Sequence, residues 1–277
     1  MPGFNTVNEA IKANTVNNRG KRWNVTKQAA SFTAGKPYSL WPLAGDPAAG
    51  AFSGTAVTAT AMSSSDNGAV FFDNPTGGRT NHLTALMGFL SSGVEGELHL
   101  VDRLLQYPGF VVNTTADQTA TTVTTLPRST DGLGVKILVE VSTVLSAGAG
   151  TLEVYYRNEN SVDNRVGAAV TLDSAATASP CRIPGLQYYH CMQAPDRGVL
   201  RINKIKLPTS TFASGNLCVS LVKPIWSVQI NKGVQPDLLT QLVHGIKIEN
   251  NACLMFLFQP YTTTSMVVTA NVHVTEN

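Results

Sequence analysis

The sequence predicts a mainly β protein, an antiparallel β-sandwich of jelly-roll type with an extended N-terminal arm. Many short segments alternate apolar and polar residues, as strands with one buried face do. Turn residues separate these segments at short intervals, and helical periodicity is rare. Positive charge is concentrated at the start: residues 1–36 contain six Lys and Arg residues against one acid, a net +5, whereas residues 37–277 contain 14 against 17, a net −3. We therefore divide the chain into a basic arm, 1–36, and a sandwich domain, 37–277, whose first part is rich in loops.

The arm contains one cluster with the character of a binding element. Lys21, Arg22 and Trp23 form its densest positive point, and the asparagines and glycine before them favour turns over a sustained helix. We predict that these three residues bind a partner, because charge-led contacts with an aromatic anchor suit a tether laid over an acidic neighbour. Two alternatives stay open, a solvated tail and the less favoured contact with packaged DNA.

The first part of the sandwich domain carries weak signals. Residues 37–78 are rich in Gly, Ala, Ser, Thr and Pro, which indicates ordered loop with short strands. Asn74–Gly78 is glycine-rich, but no Gly-Lys-Ser/Thr follows, so a turn is expected there instead of a phosphate-binding loop. Thr80–Leu90 places four apolar residues on one helical face and predicts a short helix. Glu97–Leu105 alternates and predicts a strand.

The clearest β pattern lies between residues 126 and 172. A turn at Ser129–Gly132 precedes the alternating segment Val135–Ser142, and a run of small residues precedes the second alternating segment, Thr151–Arg157. A third run, Ala168–Leu172, follows. We expect three consecutive antiparallel strands that form one sheet.

Further strands are expected toward the C-terminus, with one helical turn among them. Ala252–Phe258 is continuously apolar, which indicates a strand buried on both faces, whereas Ser265–Thr275 alternates strictly. The remaining predicted elements are the strands Val199–Leu207, Leu217–Val222 and Ile225–Ile230 and a helical turn at Pro236–Leu242.

An ordered series of short motifs covers Leu126 to Phe258. In chain order these are LPR, TDGLGV, a Tyr-containing strand followed by Arg165, CRIPGL, LVKPIWSV, DLLTQL and ACLMFLF. In this order the sequence resembles a group of tailed-bacteriophage virion proteins. The resemblance implies a capsid-associated or decoration-like component of a virus particle. It does not say which component.

Composition adds expectations about partners. Only 14% of the residues are charged, which suits surfaces that neighbouring subunits cover. We expect a homo-oligomer in the virion, a trimer or a higher ring, bound to the major capsid protein or to other virion proteins. Nucleic acid is a less favoured partner, and a membrane is not expected because no apolar run approaches the length of a membrane span.

No catalytic, cofactor-binding or metal-binding residue is predicted. The histidines are dispersed, and the four cysteines form no CxxC pair, so packed thiols are expected, with disulfides left open. His190 and Cys191 are adjacent, and adjacent strand residues point to opposite faces. Glu95 and Glu97 lack an aromatic sugar platform, and no nucleophile-elbow, dinucleotide or phosphate-loop motif occurs.

These observations favour a non-enzymatic structural protein, most specifically an accessory head protein that decorates or cements a capsid lattice. A neck, collar or tail-associated virion protein is the second hypothesis. A receptor- or glycan-binding module is the third, and it would need a solvent-facing tyrosine platform. Tyr155, Tyr188 and Tyr189 are its candidates.

Overall fold

The structure is a computed structural model, which describes residues 4, 6–91, 93–122, 125–174, 176–230 and 245–277. The described residues form one helix and a series of antiparallel strands. In chain order the elements are α1 (Val7–Thr15), β1 (Gly20–Phe32), β2 (Tyr38–Ser39), β3 (Gly45–Asp46), β4 (Thr60–Ala61), β5 (Asn81–Leu90), β6 (Gly96–Val111), β7 (Gln118–Thr119), β8 (Lys136–Thr143), β9 (Gly150–Asn158), β10 (Arg165–Val166), β11 (Val170–Leu172), β12 (Cys181–Arg182), β13 (Val199–Ser210), β14 (Asn216–Ile230), β15 (Ile246–Ile248), β16 (Leu254–Pro260) and β17 (Thr264–Glu276).

The strands make three sheets. The first sheet has the order β15-β5-β17-β1-β3, and the second has the order β10-β9-β13-β7 with β11 also paired to β9. The central sheet has the order β12-β2-β16-β6-β14-β8, with β4 paired to β6. The predicted mainly β, antiparallel sandwich is therefore confirmed.

Two strands of the central sheet show how the layers stack. Alternate residues of β16 enter different cores, with Phe256 in the core against the first sheet and Met255 in the core on the opposite face. Likewise, Val139 of β8 lies in the core against the second sheet and Leu138 on the opposite face. Because successive strand residues point to opposite faces, the first and second sheets cover the same face of the central sheet.

The central sheet curls until its edges approach each other. The Sγ of Cys181 in β12 donates to the carbonyl oxygen of Val141 in β8 at 3.3 Å. The backbone N–H of His190 donates to the carbonyl oxygen of Ile137, also in β8, at 2.9 Å. The concave face is thereby enclosed and filled by loop side chains such as Trp41 and Tyr188. The result is a nearly closed barrel with two sheets packed on its outside.

The N-terminal segment corrects the prediction of an extended arm. Gly20–Phe32 is a long strand that pairs with β17 on one side, from Gly20 opposite Thr275 to Phe32 opposite Thr264, and with β3 on the other. Val25 and Phe32 lie in the core against the first sheet. The segment orders without a separate partner because β17 supplies the backbone hydrogen bonds and the core takes its apolar side chains.

Two other elements differ from their predictions. Asn81–Leu90 is a strand instead of a helix, because β17 pairs with it on one side and β15 on the other. β8 and β9 do not pair: β8 pairs with β14 in the central sheet, and β9 pairs with β13 in the second sheet. The chain therefore crosses between layers at the small-residue turn, and only the pairing of β9 with β11 matches the expected order.

The C-terminal strands occur where the structure describes this region, but the predicted strands Leu217–Val222 and Ile225–Ile230 are one continuous strand, β14. Residues Leu254–Phe258 are buried on both faces, and β17 buries Met266, Val268, Ala270, Val272 and Val274 along one side. The predicted helical turn at Pro236–Leu242 lies outside the described residues. Among the described residues, no helix has the length and apolar character needed to cross a membrane.

Candidate functional site

The structure places the predicted partner-binding residues on strand β1, with alternate side chains on opposite faces. The Nζ atom of Lys21 lies 2.6 Å from Oε1 of Glu276 and donates to the carbonyl oxygen of Asp73 at 2.9 Å. Trp23 packs edge-on against Phe72, with ring centroids 6.5 Å apart, beside the core of the first sheet. Both side chains are therefore engaged within the protein.

Arg22 points the other way and is exposed. Its Nε donates to Oδ1 of Asn24 at 3.0 Å. Two other positive charges of residues 1–36 are also compensated within the protein. Nζ of Lys36 lies 3.5 Å from Oδ1 of Asp173. Lys27 is buried, and its Nζ donates to the carbonyl oxygens of Leu43 and Pro47. Burial lowers the pKa of Lys27 to about 8. Of the three predicted residues, Arg22 alone presents its charge to solvent.

Arg22 belongs to a continuous surface, which we call the outer face of the first sheet. Cross-strand pairs share a face of a sheet, so the registers of β1, β17 and β5 define it. Its members are half-buried or exposed; they are Arg22, Asn24 and Thr26 of β1, Thr269, Asn271 and His273 of β17, and Ala85, Met87 and Phe89 of β5. The surface combines amides, hydroxyls and two large apolar side chains. Arg22 is the one fixed charge among these nine residues, and exposed Asp46 of β3, directly opposite Thr26, adds a carboxylate at the edge of the face.

A second cluster of polar groups lies inside the barrel and is fully enclosed. Nη2 of Arg103 in β6 lies 2.8 Å from Oε2 of Glu140 in β8, and neither side chain has any exposed fraction. The guanidinium also donates to Oε1 of Gln106 at 3.2 Å and lies 4.9 Å from the ring centroid of Trp41. Burial opposes the charge of Arg103, but the neighbouring Glu140 carboxylate outweighs it and holds the pKa above its usual value. Ser220 supplies Glu140 with a further hydrogen bond of 2.9 Å.

Beside this pair, Asp102 fixes the loop that precedes β8. Both of its oxygens accept hydrogen bonds from Arg128, at 2.8 and 2.9 Å, and Oδ1 also accepts from the backbone N–H of Cys253 at 2.9 Å. Arg128 has a φ of 59° and donates to the carbonyl oxygens of Met62 and Arg103. Arg128 thus cross-links three parts of the chain. Burial still raises the pKa of Asp102, although these donors oppose the shift.

The thiols around Arg103 are not reactive groups. All four cysteines are free, and three of them, Cys181, Cys218 and Cys253, are buried. Burial raises the pKa of Cys218 to about 12 and also raises those of the other two. Because the thiolate is the nucleophile and the metal ligand, these groups behave as small apolar side chains. The expectation of packed thiols holds for these three residues.

The tyrosine candidates for a glycan platform do not form one surface. Tyr188 is 7% exposed and packs on His99 with ring centroids 4.1 Å apart, and its hydroxyl donates to the carbonyl oxygen of Glu97 at 3.1 Å. Tyr189 lies beside them, half-buried, 6.2 Å from Tyr188. Tyr155 belongs to β9 in the second sheet. The ring of Tyr188 therefore packs inside the protein and leaves little aromatic surface for a glycan.

His190 is buried and has no hydrogen-bond partner for either ring nitrogen among the described residues. Burial lowers its pKa to about 4, so the ring is neutral at pH 7. It does not form a catalytic pair with Cys191, whose Sγ instead donates to Oε1 of Gln187 at 3.3 Å. The described residues contain no group of three or more His, Cys, Asp or Glu side chains placed to hold a metal ion.

The buried pair of Arg103 and Glu140 is the feature that sequence reasoning missed. Alternation places Glu140 on the polar side of its strand, where a solvent-facing carboxylate is the simplest interpretation. A usable signal was nevertheless present: Glu140 interrupts the apolar run Ile137–Val141, and a carboxylate within such a run needs a partner if it is buried.

No protein-family profile matches this sequence, and no curated protein matches it. A search of solved structures gives a chain from the crystal structure of the infectious bursal disease virus VP2 subviral particle. It is 13% identical to this chain, and the alignment covers 93% of this chain and 42% of that one, with a TM-score of 0.13. Similarity at that level supports no inference about fold or function.

Proposed function

We propose that this protein is a non-enzymatic structural component of a tailed-phage particle, and specifically an accessory head protein that binds the capsid lattice. The sequence resemblance between Leu126 and Phe258 supports a virion component. The buried groups agree with this view, because the ion pair joins two strands of the barrel, and the thiols, whose pKa burial raises, offer no reactive group to a substrate.

The observation that carries the proposal is the outer face of the first sheet. Met87 and Phe89 are half-buried there without belonging to any core, and they lie among amide and hydroxyl side chains. The cores of protein interfaces are depleted in charge and enriched in aromatic residues and Met, with polar groups around them. This face therefore suits docking on a capsid subunit. Arg22 at its margin replaces the tether as the charged contact.

A repeated lattice also explains how a surface without a large apolar patch can bind firmly. Each copy makes a modest contact, and an oligomer that engages several lattice subunits at once gains avidity without new contacts. We propose that the protein binds as a homo-oligomer for this reason. A neck, collar or tail position remains the alternative, and the copy number per particle separates the two.

The test uses particles that carry the protein and variants changed on the outer face. Phe89→Glu and Met87→Glu should each reduce the occupancy on particles by about tenfold or more, since each places an unpaired carboxylate in the contact. Val144→Glu is the matched control, because Val144 is 52% exposed and lies outside that face. Circular dichroism should show that the variants fold.

Two results would count against the proposal. One is wild-type occupancy of both outer-face variants on salt-washed particles. The other is a copy number, by quantitative mass analysis, of about a dozen or fewer per particle, which would move the protein to the neck or tail.

A further inference from the structure

The outward face of the second sheet carries a pair of like charges that the proposed particle function does not use. Arg157 of β9 and Arg201 of β13 are direct cross-strand partners. The next pair, Tyr156 and Ile202, lies in the core, so both arginines point away from it. Side chains directly opposite on neighbouring strands have Cβ atoms only about 5 Å apart, and like charges in that position destabilise a sheet.

The protein's own residues compensate this pair only in part. Asp163 accepts from Nη2 of Arg201 at 3.0 Å, and its same oxygen accepts from Asn203 at 2.9 Å. Arg157 donates no hydrogen bond to a described residue, and its Nε is buried without a partner, as is that of Arg201. Two guanidinium groups therefore share one carboxylate. An Arg fork that lacks an acceptor is prepared to bind an oxyanion.

The two arginines line an open cavity of about 530 Å³. Its wall also includes the hydroxyl-bearing residues Thr130 and Ser161 and the apolar side chain of Leu200. Hydroxyls complete the coordination of phosphate oxygens, and an apolar surface supports the organic part of a ligand. The volume greatly exceeds that of a bare tetrahedral anion, so it has room for an esterified one.

We propose that this cavity is a binding site for a phosphate ester of a small polar molecule, with the phosphate held between Arg157 and Arg201. The dianion supplies the acceptors that Arg157 lacks and screens the repulsion between the two guanidinium groups. Asp163 competes with the ligand for Arg201 and repels its charge. This site is independent of lattice binding.

Isothermal titration of the purified full-length protein at constant ionic strength tests the proposal, with inorganic phosphate, glucose 6-phosphate and glucose as probes. Glucose 6-phosphate should bind more tightly than inorganic phosphate, and glucose should not bind. Arg157→Gln should weaken the binding of glucose 6-phosphate by about tenfold or more, because a charge-assisted hydrogen bond is lost. Arg197→Gln is the matched control: it removes the same charge from an exposed arginine that does not line the cavity, and the affinity should change by less than about twofold.

Asp163→Asn gives a result that damage to the fold cannot imitate, since removal of the competing carboxylate should strengthen binding. Three outcomes would overturn the proposal: no binding of either phosphate probe by the wild type at about 10 mM, equal affinity of glucose 6-phosphate for the wild type and Arg157→Gln, or weaker binding by Asp163→Asn.

Discussion

The buried ion pair inside the barrel makes the sharpest prediction about stability. Glu140→Gln keeps the size and shape of the side chain and removes only its charge. Arg103 then stays fully buried among neutral groups, which are Gln106, the sulfur atoms of Met255 and Cys218 and the rings of Trp41 and Phe52. An isolated buried cation is costly, because the interior cannot replace the solvation that the guanidinium loses.

The expected loss is large compared with the stability of a domain. Breaking a fully buried pair by removing one partner costs about 3–5 kcal/mol, while a folded domain is stable by about 5–15 kcal/mol. Glu249→Gln is the matched control, since Glu249 pairs with Lys247 at 2.8 Å with side chains 37% and 47% exposed. Exposed pairs of this kind contribute about 1 kcal/mol or less.

Urea unfolding, followed by tryptophan fluorescence and circular dichroism, measures both losses at pH 7. A double-mutant cycle with Arg103→Met then tests whether the cost is that of an orphaned charge. The double variant should lose less than the sum of the single losses, by at least about 2 kcal/mol. A loss below about 1 kcal/mol for Glu140→Gln, or strictly additive single losses, would refute the reasoning.

Two further predictions concern the core and the response to acid. Val139→Asp should yield insoluble or unfolded protein, because Val139 is 4% exposed in the core against the second sheet. A buried carboxylate without a partner costs several kcal/mol. A soluble variant that melts cooperatively would contradict this prediction. His190 should make the protein acid-sensitive, because its pKa falls from 6.5 to about 4 on folding. Between these two pH values the unfolded state binds a proton that the folded state does not. The contribution of His190 to stability is therefore complete above pH 6.5 and is lost as the pH falls to about 4. The loss is about 3 kcal/mol. Between pH 6.5 and about 4 the urea midpoint of the wild type should therefore fall relative to that of His190→Leu, and parallel pH profiles would show that the ring does not titrate as inferred.

Several features of the fold follow from local sequence alone. The strict alternation from Ser265 to Thr275 places the apolar residues of β17 together on one side, and the continuous apolar run from Ala252 to Phe258 requires a strand with two covered faces. Both signals are strong because burial acts residue by residue. The general β character and the location of most long strands could be predicted in this way.

Other features depend on partners that are distant in sequence. The Thr80–Leu90 segment satisfies a helical pattern as well as a strand pattern, and only the hydrogen bonds offered by β17 and β15 decide between them. Residues 20–32 are polar enough to suggest a solvated arm, yet the backbone of β17 and the core beneath it make them a strand. Pairing energy of this kind has no local signature.

The candidate sites show the same division. The sequence determined that Lys21, Arg22 and Trp23 carry charge and an aromatic ring, but the tertiary structure decided that Lys21 pairs with Glu276 and that Trp23 packs inward, so only Arg22 faces solvent. Arg103 and Glu140 are 37 positions apart and meet because β14 and the barrel's curvature bring their strands together. Alternation along a strand fixes which side of that strand a residue occupies. For a strand such as β8, whose two sides are both buried, what lies opposite each side is decided by the stacking of layers formed from the whole chain.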